Sequence, residues 1–321
     1  MKRGRLVIVG LLALAAAGLV FVWSLMGSAT VSQETSFTIP AGSSVSAVAD
    51  KLEAEGLISS ASGFMLQARI FGSDRPIQAG EFLLKPGMSQ GAILAAFQSG
   101  DVIRRFVTIP EGMPSILVWE RLMAEELLTG EIVVPPEGSI LPDTYAFERG
   151  QSRQSLVEQM QAAMDKALAE EWANRAPNVA VDTMRDALIL AAIVEKETGK
   201  PEERRMIAGL YSNRVRTGML LQADPTIIYP ITKGKPLGRR IRQSEIAAVN
   251  GYNTYTRVGL PEGPITNPGR ESIAAVLNPE KTSALFMVAD GTGGHWFADT
   301  LAEHNANVAK WYAIRRERGE M

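Results

Sequence analysis

Two glutamates, Glu195 and Glu197, stand at the end of an apolar segment that reads LILAAIVEKETGK over residues 188–200. A carboxyl group held against apolar side chains loses the hydration of its charged form, so its pKa rises. A raised pKa suits a general acid, because the group still carries its proton near neutral pH. The residues alone leave two interpretations open, an acid-catalysed reaction at this point or a solvated helix end.

A helical projection of residues 184–197, at about 100° per residue, separates the two glutamates. Three bulky apolar side chains gather on one side of this helix: Leu190, Ile193 and Val194. Glu197 points into the middle of that side, whereas Glu195 follows Ala191 and Ala192 on roughly the opposite side. We therefore expect Glu197 to be the candidate acid and Glu195 to be a supporting or structural partner.

Polar groups beside two turns are candidates for binding a sugar. The segment LQADPTIIY offers four polar side chains that can hydrogen-bond hydroxyl and amide groups: Gln222, Asp224, Thr226 and Tyr229. Aromatic rings interleaved with amides suit sugar rings. The segment NGYNTYTRVGLPEGPITNPG offers such a set: Tyr252, Asn253, Tyr255 and Asn267. Two structural alternatives remain equally open: Asp224 as a cap of the following segment, and the second stretch as an ordinary structured loop.

Several kinds of site are excluded by composition. The 321 residues include no cysteine and two histidines, which excludes thiol chemistry, disulfides and a histidine-rich metal site.

The segment DGTGGHWF lacks the third glycine of a phosphate loop and predicts a hairpin turn, with His295 as a hydrogen-bonding residue rather than a base. No serine-hydrolase elbow, P-loop or zinc-protease motif occurs. A net charge of −2 provides no basic field for nucleic acid.

The first predicted segment is a membrane anchor within residues 1–30. Lys2, Arg3 and Arg5 precede an uncharged apolar run from Leu6 to Met26, which is long enough to span a bilayer. The run exceeds the usual apolar region of a signal peptide, so we expect an uncleaved anchor. Positive residues stay on the cytoplasmic side, which places the remainder of the chain outside the cytoplasm.

The rest of the chain predicts two α+β domains. A short apolar run, a turn with proline and glycine, and an amphipathic helix recur three times, starting at Phe37, Leu83 and Val107. We expect the first two copies to form a compact domain over residues 31–105, and residues 106–321 to form the larger domain. The absence of regular βαβ alternation favours α+β over a doubly wound sheet.

Within residues 106–321, helical pattern covers residues 152–173 and resumes at Thr183. Residues 133–150 read as a connecting loop. The final stretch, DTLAEHNANVAKWYAIRRERG, predicts a closing helix.

Taken in order, four motifs resemble the endolytic murein transglycosylases of the YceG/MltG-like family. They are IVEKET, NRVRTGMLLQADPTIIY, YNTYTRVGLPEGPITNPG and FMVADGTGGHWF. The similarity extends from the apolar N-terminus through LPDTY at 141–145 to EHN at 303–305. It implies a protein anchored in the inner membrane, a LysM-like subdomain, and a domain that cuts peptidoglycan glycan strands internally.

The resemblance also implies a reaction and a set of residues. The bond between N-acetylmuramic acid and N-acetylglucosamine would be cut without water, leaving a 1,6-anhydro end, with Glu197 as the single acid and base. Gln222, Asp224, Asn253 and Tyr255 would position the substrate. No metal or organic cofactor is implied, and peptidoglycan synthases are implied as partners in the periplasm.

Two other functions remain as alternatives. A hydrolytic muramidase would use Asp224 or Glu262 as a second carboxylate beside Glu197. A wall-binding scaffold protein would use the LysM-like part to hold glycan and would need no catalytic acid.

Overall fold

The structure is a computed structural model that describes residues 30–320 together with residues 15, 16 and 18. The anchor predicted from Leu6 to Met26 lies, apart from those three positions, outside the described residues. Among the residues that are described, none of the helices has the length and apolar character needed to cross a bilayer.

Helices and small two-stranded sheets make up the described chain, which confirms the predicted α+β class. The chain divides into two compact units. The first takes the described residues up to Arg105 together with Phe147–Arg149. The second takes Phe106–Ala146 and the described residues from Gly150 onward.

The first unit is a two-stranded antiparallel sheet with three helices. Its elements in chain order are β1 (Thr35–Ile39), α1 (Val45–Ala54), α2 (Ala61–Phe71), β2 (Gly80–Leu84) and α3 (Gln90–Ser99). Phe37 of β1 lies opposite Phe82 of β2, and both rings contact the ring of Phe97, at 5.6 and 4.8 Å between centroids. Ser44 and Ser89 cap α1 and α3 by accepting backbone N–H groups. The aromatic cluster is therefore part of the core of this unit.

From Arg105 onward the chain forms the remaining elements. They are β3 (Arg105–Thr108), α4 (Ser115–Ala124), β4 (Thr144–Phe147), α5 (Arg153–Ala173), α6 (Met184–Glu197), a 3₁₀ turn (Pro201–Glu203), α7 (Arg204–Arg216), α8 (Pro225–Thr232), α9 (Gln243–Ile246), α10 (Arg270–Leu277), β5 (Phe286–Ala289), β6 (His295–Ala298) and α11 (Leu301–Glu317). The hairpin predicted at DGTGGHWF is confirmed, because β5 and β6 pair antiparallel across it. The predicted closing helix is α11.

The three predicted strand, turn and helix segments are confirmed as β1–α1, β2–α3 and β3–α4. In each turn the glycine, namely Gly42, Gly87 or Gly112, adopts a positive φ that side chains disfavour.

The interpretation of residues 133–150 as a loop without regular structure is wrong at its end, since Thr144–Phe147 forms β4 and pairs with β3. The strand is only four residues long, too short for an alternating pattern to stand out in the sequence.

Helix α6 lies at the centre of the second unit. Residues 189–194 are buried in an unbroken run, and the helix packs against α7 and α10. Thr183 caps its first turn by accepting the backbone N–H of Asp186 at 3.0 Å. A helix that is apolar on all sides is held by its neighbours in a fixed position, so the residue at its end is placed precisely.

Candidate active site

Glu197 is the last residue of α6, because Thr198 turns to extended backbone with φ of −135°. Its carboxyl group enters a cleft of about 390 Å³. The polar and ionisable side chains that line this cleft come from five segments of the second unit: Lys196, Glu197, Tyr211, Arg214, Gln222, Asp224, Tyr255 and His295. The cleft thus collects the predicted acid and three of the four predicted substrate-binding residues.

The pKa of Glu197 is raised from 4.5 to about 7. Burial is the largest cause, and the negative charge of Asp224 adds to it. The Tyr211 hydroxyl, through a hydrogen bond, and the Arg214 charge act in the opposite direction. One carboxyl oxygen, Oε1, is buried without a hydrogen-bond partner among the described residues. The group therefore holds its proton close to neutral pH and can both give and take one.

Tyr211 and Arg214 were missed by the sequence reasoning. They lie three residues apart on α7, which places them on one face of that helix. The available signal in the sequence was this spacing of a tyrosine and an arginine. Arg214 donates to the carbonyl oxygens of Leu221 and Leu285, each at 2.7 Å. Its guanidinium is therefore locked by backbone groups, and its charge acts on Glu197 without a direct ion pair between them in the described structure.

Asp224 and Tyr255 meet across the cleft. The Tyr255 hydroxyl donates to Asp224 Oδ1 at 2.5 Å. Asp224 makes no side-chain cap to α8, so the capping alternative is not what the structure shows. Gln222 is exposed and has a φ of 51°. Its backbone N–H donates a hydrogen bond to the carbonyl of Thr254 at 3.1 Å. These contacts join the two loops and direct their polar groups to one place.

Asn253, also predicted to bind substrate, does not line the cleft. Its side chain is fully buried, and its amide nitrogen donates to the carbonyls of Ile246 and Ala248 at 2.9 and 2.7 Å. Its amide oxygen accepts the backbone N–H of Tyr255 at 3.0 Å. Asn253 thus holds the loop that carries Tyr255, as in the structured-loop alternative.

Glu195 contacts the start of α10 instead of the cleft. Its Oε2 accepts the Gly269 backbone N–H at 2.9 Å and the Ser272 hydroxyl at 2.7 Å. A carboxylate at a helix N-terminus satisfies an unpaired backbone donor and interacts favourably with the helix dipole. This is the structural role that the helical projection left open for Glu195.

His295 lies at the edge of the cleft, at the start of β6. Its Nδ1 is 2.7 Å from Glu203 Oε2, and its backbone N–H donates to Glu203 Oε1 at 3.0 Å. The histidine is thus a hydrogen-bonded residue, fixed by a carboxylate from the neighbouring 3₁₀ turn.

Over the described part of the chain, no group of three or more acidic or histidine side chains is arranged to hold a metal ion.

A family model described as the YceG-like family matches residues 37–310, which covers most of both units and every side chain of the cleft. The chain belongs to the YceG-like family. Relatives from two species carry the name endolytic murein transglycosylase. One, from Bacillus subtilis, is 27% identical over 87% of this chain and 85% of its own length. Another, from Streptococcus pneumoniae serotype 2, is 29% identical over 85% of this chain.

The chain spans 57% of the length of the pneumococcal relative. A solved structure of a YceG-like protein from Listeria monocytogenes is also similar, with a TM-score of 0.52 and 28% identity. That match covers 86% of this chain and 99% of the Listeria chain. Membership of the family thus rests on sequence and on fold.

Proposed function

We propose that this protein is a lytic transglycosylase that cuts the glycan strands of peptidoglycan internally and so limits their length. The observation that carries the proposal is Glu197, a buried carboxyl with a pKa raised to about 7 in a cleft lined by sugar-compatible groups. The names of the family relatives, endolytic murein transglycosylase, support the substrate class.

In the proposed reaction, Glu197 gives its proton to the oxygen that links N-acetylmuramic acid to N-acetylglucosamine. The bond from this oxygen to C1 of the muramic unit breaks, and the C6 hydroxyl oxygen of the same unit bonds to C1. The proton of that hydroxyl passes to the Glu197 carboxylate. The enzyme returns to its starting state, water is not consumed, and the product ends in a 1,6-anhydro ring.

A pKa near 7 suits both halves of this cycle, because proton transfer is most efficient when the acid and the base are similarly populated. Asp224, Tyr255 and Gln222 would hold hydroxyl and acetamide groups of the sugars, since they line the same cleft. Asn253 would contribute indirectly by fixing the Tyr255 loop.

We also propose that residues 6–26 anchor the protein in the inner membrane with the described units in the periplasm, and that the first unit is a LysM-like glycan-binding module. The positive residues before the apolar run support the orientation. Peptidoglycan synthases would be partners at that membrane. Release of the protein from washed membranes by salt, without detergent, would contradict the anchor.

The proposed function is tested by mass spectrometry of the soluble products when the full-length protein in detergent is incubated with peptidoglycan sacculi. We expect anhydro-ended fragments whose rate of formation falls by at least about 100-fold in Glu197→Gln. Glu195→Gln is the matched control, because it makes the same chemical change two residues away and outside the cleft. Folded wild-type protein that releases no fragments would contradict catalysis and favour a binding scaffold.

A hydrolytic muramidase is the second candidate function, and one observation favours it. Asp224 faces the same cleft and is close enough for its charge to raise the pKa of Glu197, so a second carboxylate is at hand. Glu262, the other predicted candidate, is exposed and does not line the cleft. Hydrolysis would leave reducing ends, which are heavier than anhydro ends by one water, so the same spectra separate the two reactions.

A further inference from the structure

A second pocket, of about 490 Å³, adjoins the Glu197 cleft in the same unit. The two cavities share three lining residues: Lys196, Pro225 and Ile228. Lys196 precedes Glu197 at the end of α6, and the other two lie on α8. A ligand bound at Glu197 can therefore extend over this shared border into the second pocket, which we call the side pocket.

The side chains of the side pocket have a different chemical character from those of the cleft. Its apolar walls include Met113, Leu117, Leu237 and Ile265, together with several prolines. Among the described residues that line it, none has an aromatic ring, an amide or a hydroxyl group. Without an aromatic ring for stacking or a neutral polar side chain for hydrogen bonding, the side pocket suits an apolar substituent better than another sugar.

One positive charge at the border of the side pocket has no ionic partner. Glu111 is paired with Arg204 at 3.2 Å, and Lys235 is paired with Glu120. Lys196 makes only a 3.4 Å contact from its ammonium to the carbonyl of Gly112, and it forms no ion pair within the described residues. The pocket thus offers apolar space beside one ammonium group that has no ionic partner among the described residues.

The walls of the side pocket are held in place before any ligand arrives. The Asn267 amide donates to the carbonyl of Met113 at 2.9 Å, and its backbone carbonyl accepts from Gly112 at 3.0 Å. Gly234, with φ of 84°, lies so close to Pro114 that an added Cβ would come within 2.7 Å of its ring. A preformed pocket loses little conformational entropy of its own when it binds a ligand.

We propose that the side pocket binds the peptide carried on the lactyl group of the muramic unit that occupies the Glu197 cleft. Such a peptide combines small methyl side chains with free carboxylates, which match the apolar walls and the Lys196 ammonium. The inference rests on the proposed function for the sugar in the cleft, and adds that the enzyme selects strands that still carry their peptides.

Binding in the Glu197→Gln background tests the inference without any turnover. Full-length protein is titrated with two soluble glycan preparations, one with its peptides and one from which an amidase has removed them. We expect the peptide-bearing strands to bind roughly tenfold more tightly, as one charge-assisted contact would give. Adding Leu117→Asp or Leu237→Asp places a negative charge in the pocket, and either should erase that difference while leaving affinity for peptide-free strands unchanged.

Leu301→Asp is the matched control, because it makes the same substitution at an exposed position that lines neither cavity. Two results would overturn the inference: equal affinity for both preparations, or Asp substitutions that weaken both equally. Failure of wild-type protein to form anhydro ends counts against the proposed reaction and leaves the binding comparison intact, so the two failures are distinguishable.

Discussion

The proton affinity of Glu197 results from neighbours that act in opposite directions. Burial and Asp224 raise its pKa, whereas Tyr211 and Arg214 lower it. The helical projection placed Glu197 on the apolar side from the sequence alone, because the spacing of its own helix contains that information. The neighbours come from other segments, so only the tertiary structure shows which of them reach the carboxyl.

Two single substitutions should move the pKa of Glu197 in opposite directions. Tyr211→Phe removes the hydrogen bond that favours the charged form, so the pKa should rise. Asp224→Asn removes a negative charge, so the pKa should fall. The alkaline limb of the pH profile of kcat/KM measures the shift in each variant. If the alkaline limbs of the two variants moved in the same direction, this account would be contradicted.

Glu197 should also make the stability of the protein depend on pH. Its folded pKa of about 7 lies above its ordinary value of 4.5, so the folded state holds the proton more tightly. That stabilisation is complete below pH 4.5 and is lost as the pH rises through 7. We subtract the free energy of unfolding of wild type from that of Glu197→Gln. This difference should be about 3 kcal/mol larger at pH 8 than at pH 4.

Urea unfolding of both proteins at the two pH values measures that difference. Titrating groups that do not interact with Glu197 are common to the two proteins and cancel in the comparison. A difference in unfolding free energy that stays constant with pH would mean that folding does not raise the pKa of Glu197.

At the scale of elements, Glu195 joins α6 to the start of α10. Replacement by alanine leaves the Gly269 N–H and the Ser272 hydroxyl without their acceptor, which should lower the free energy of unfolding by about 2 kcal/mol. Glu195→Gln keeps an acceptor oxygen and should lose less. Urea unfolding checks the order of the two variants, while a Glu195→Ala protein with unchanged stability but no activity would assign the residue to the chemistry.

Loop residues show where prediction from sequence ended. Asn253 and Tyr255 are both polar and lie two residues apart, yet one is fully buried against backbone carbonyls and the other lines the cleft. Residue type and spacing could not separate these positions, because the loop has no regular period to indicate which side chain faces inward. The hairpin at residues 290–294 could be predicted, since its glycines and flanking apolar runs specify a turn.

At the scale of the molecule, the fold class and the three strand, turn and helix segments followed from local pattern. Helix α2 was not foreseen, although Ser60 caps it. Its apolar residues do not share one face: Phe64 is buried, whereas Ile70 and Phe71 are 59% and 62% exposed. The mixture weakens the helical period that a sequence reading depends on.

The proposed reaction of the whole protein depends on one carboxyl being half-protonated near neutral pH. The most direct measurement is an NMR titration of the side-chain carboxyl carbon of Glu197 in glutamate-labelled full-length protein, assigned by its loss in Glu197→Gln. We predict a midpoint near pH 7. A midpoint near the ordinary value of 4.5 would show a solvated helix end and would contradict the assignment of Glu197 as the acid and base.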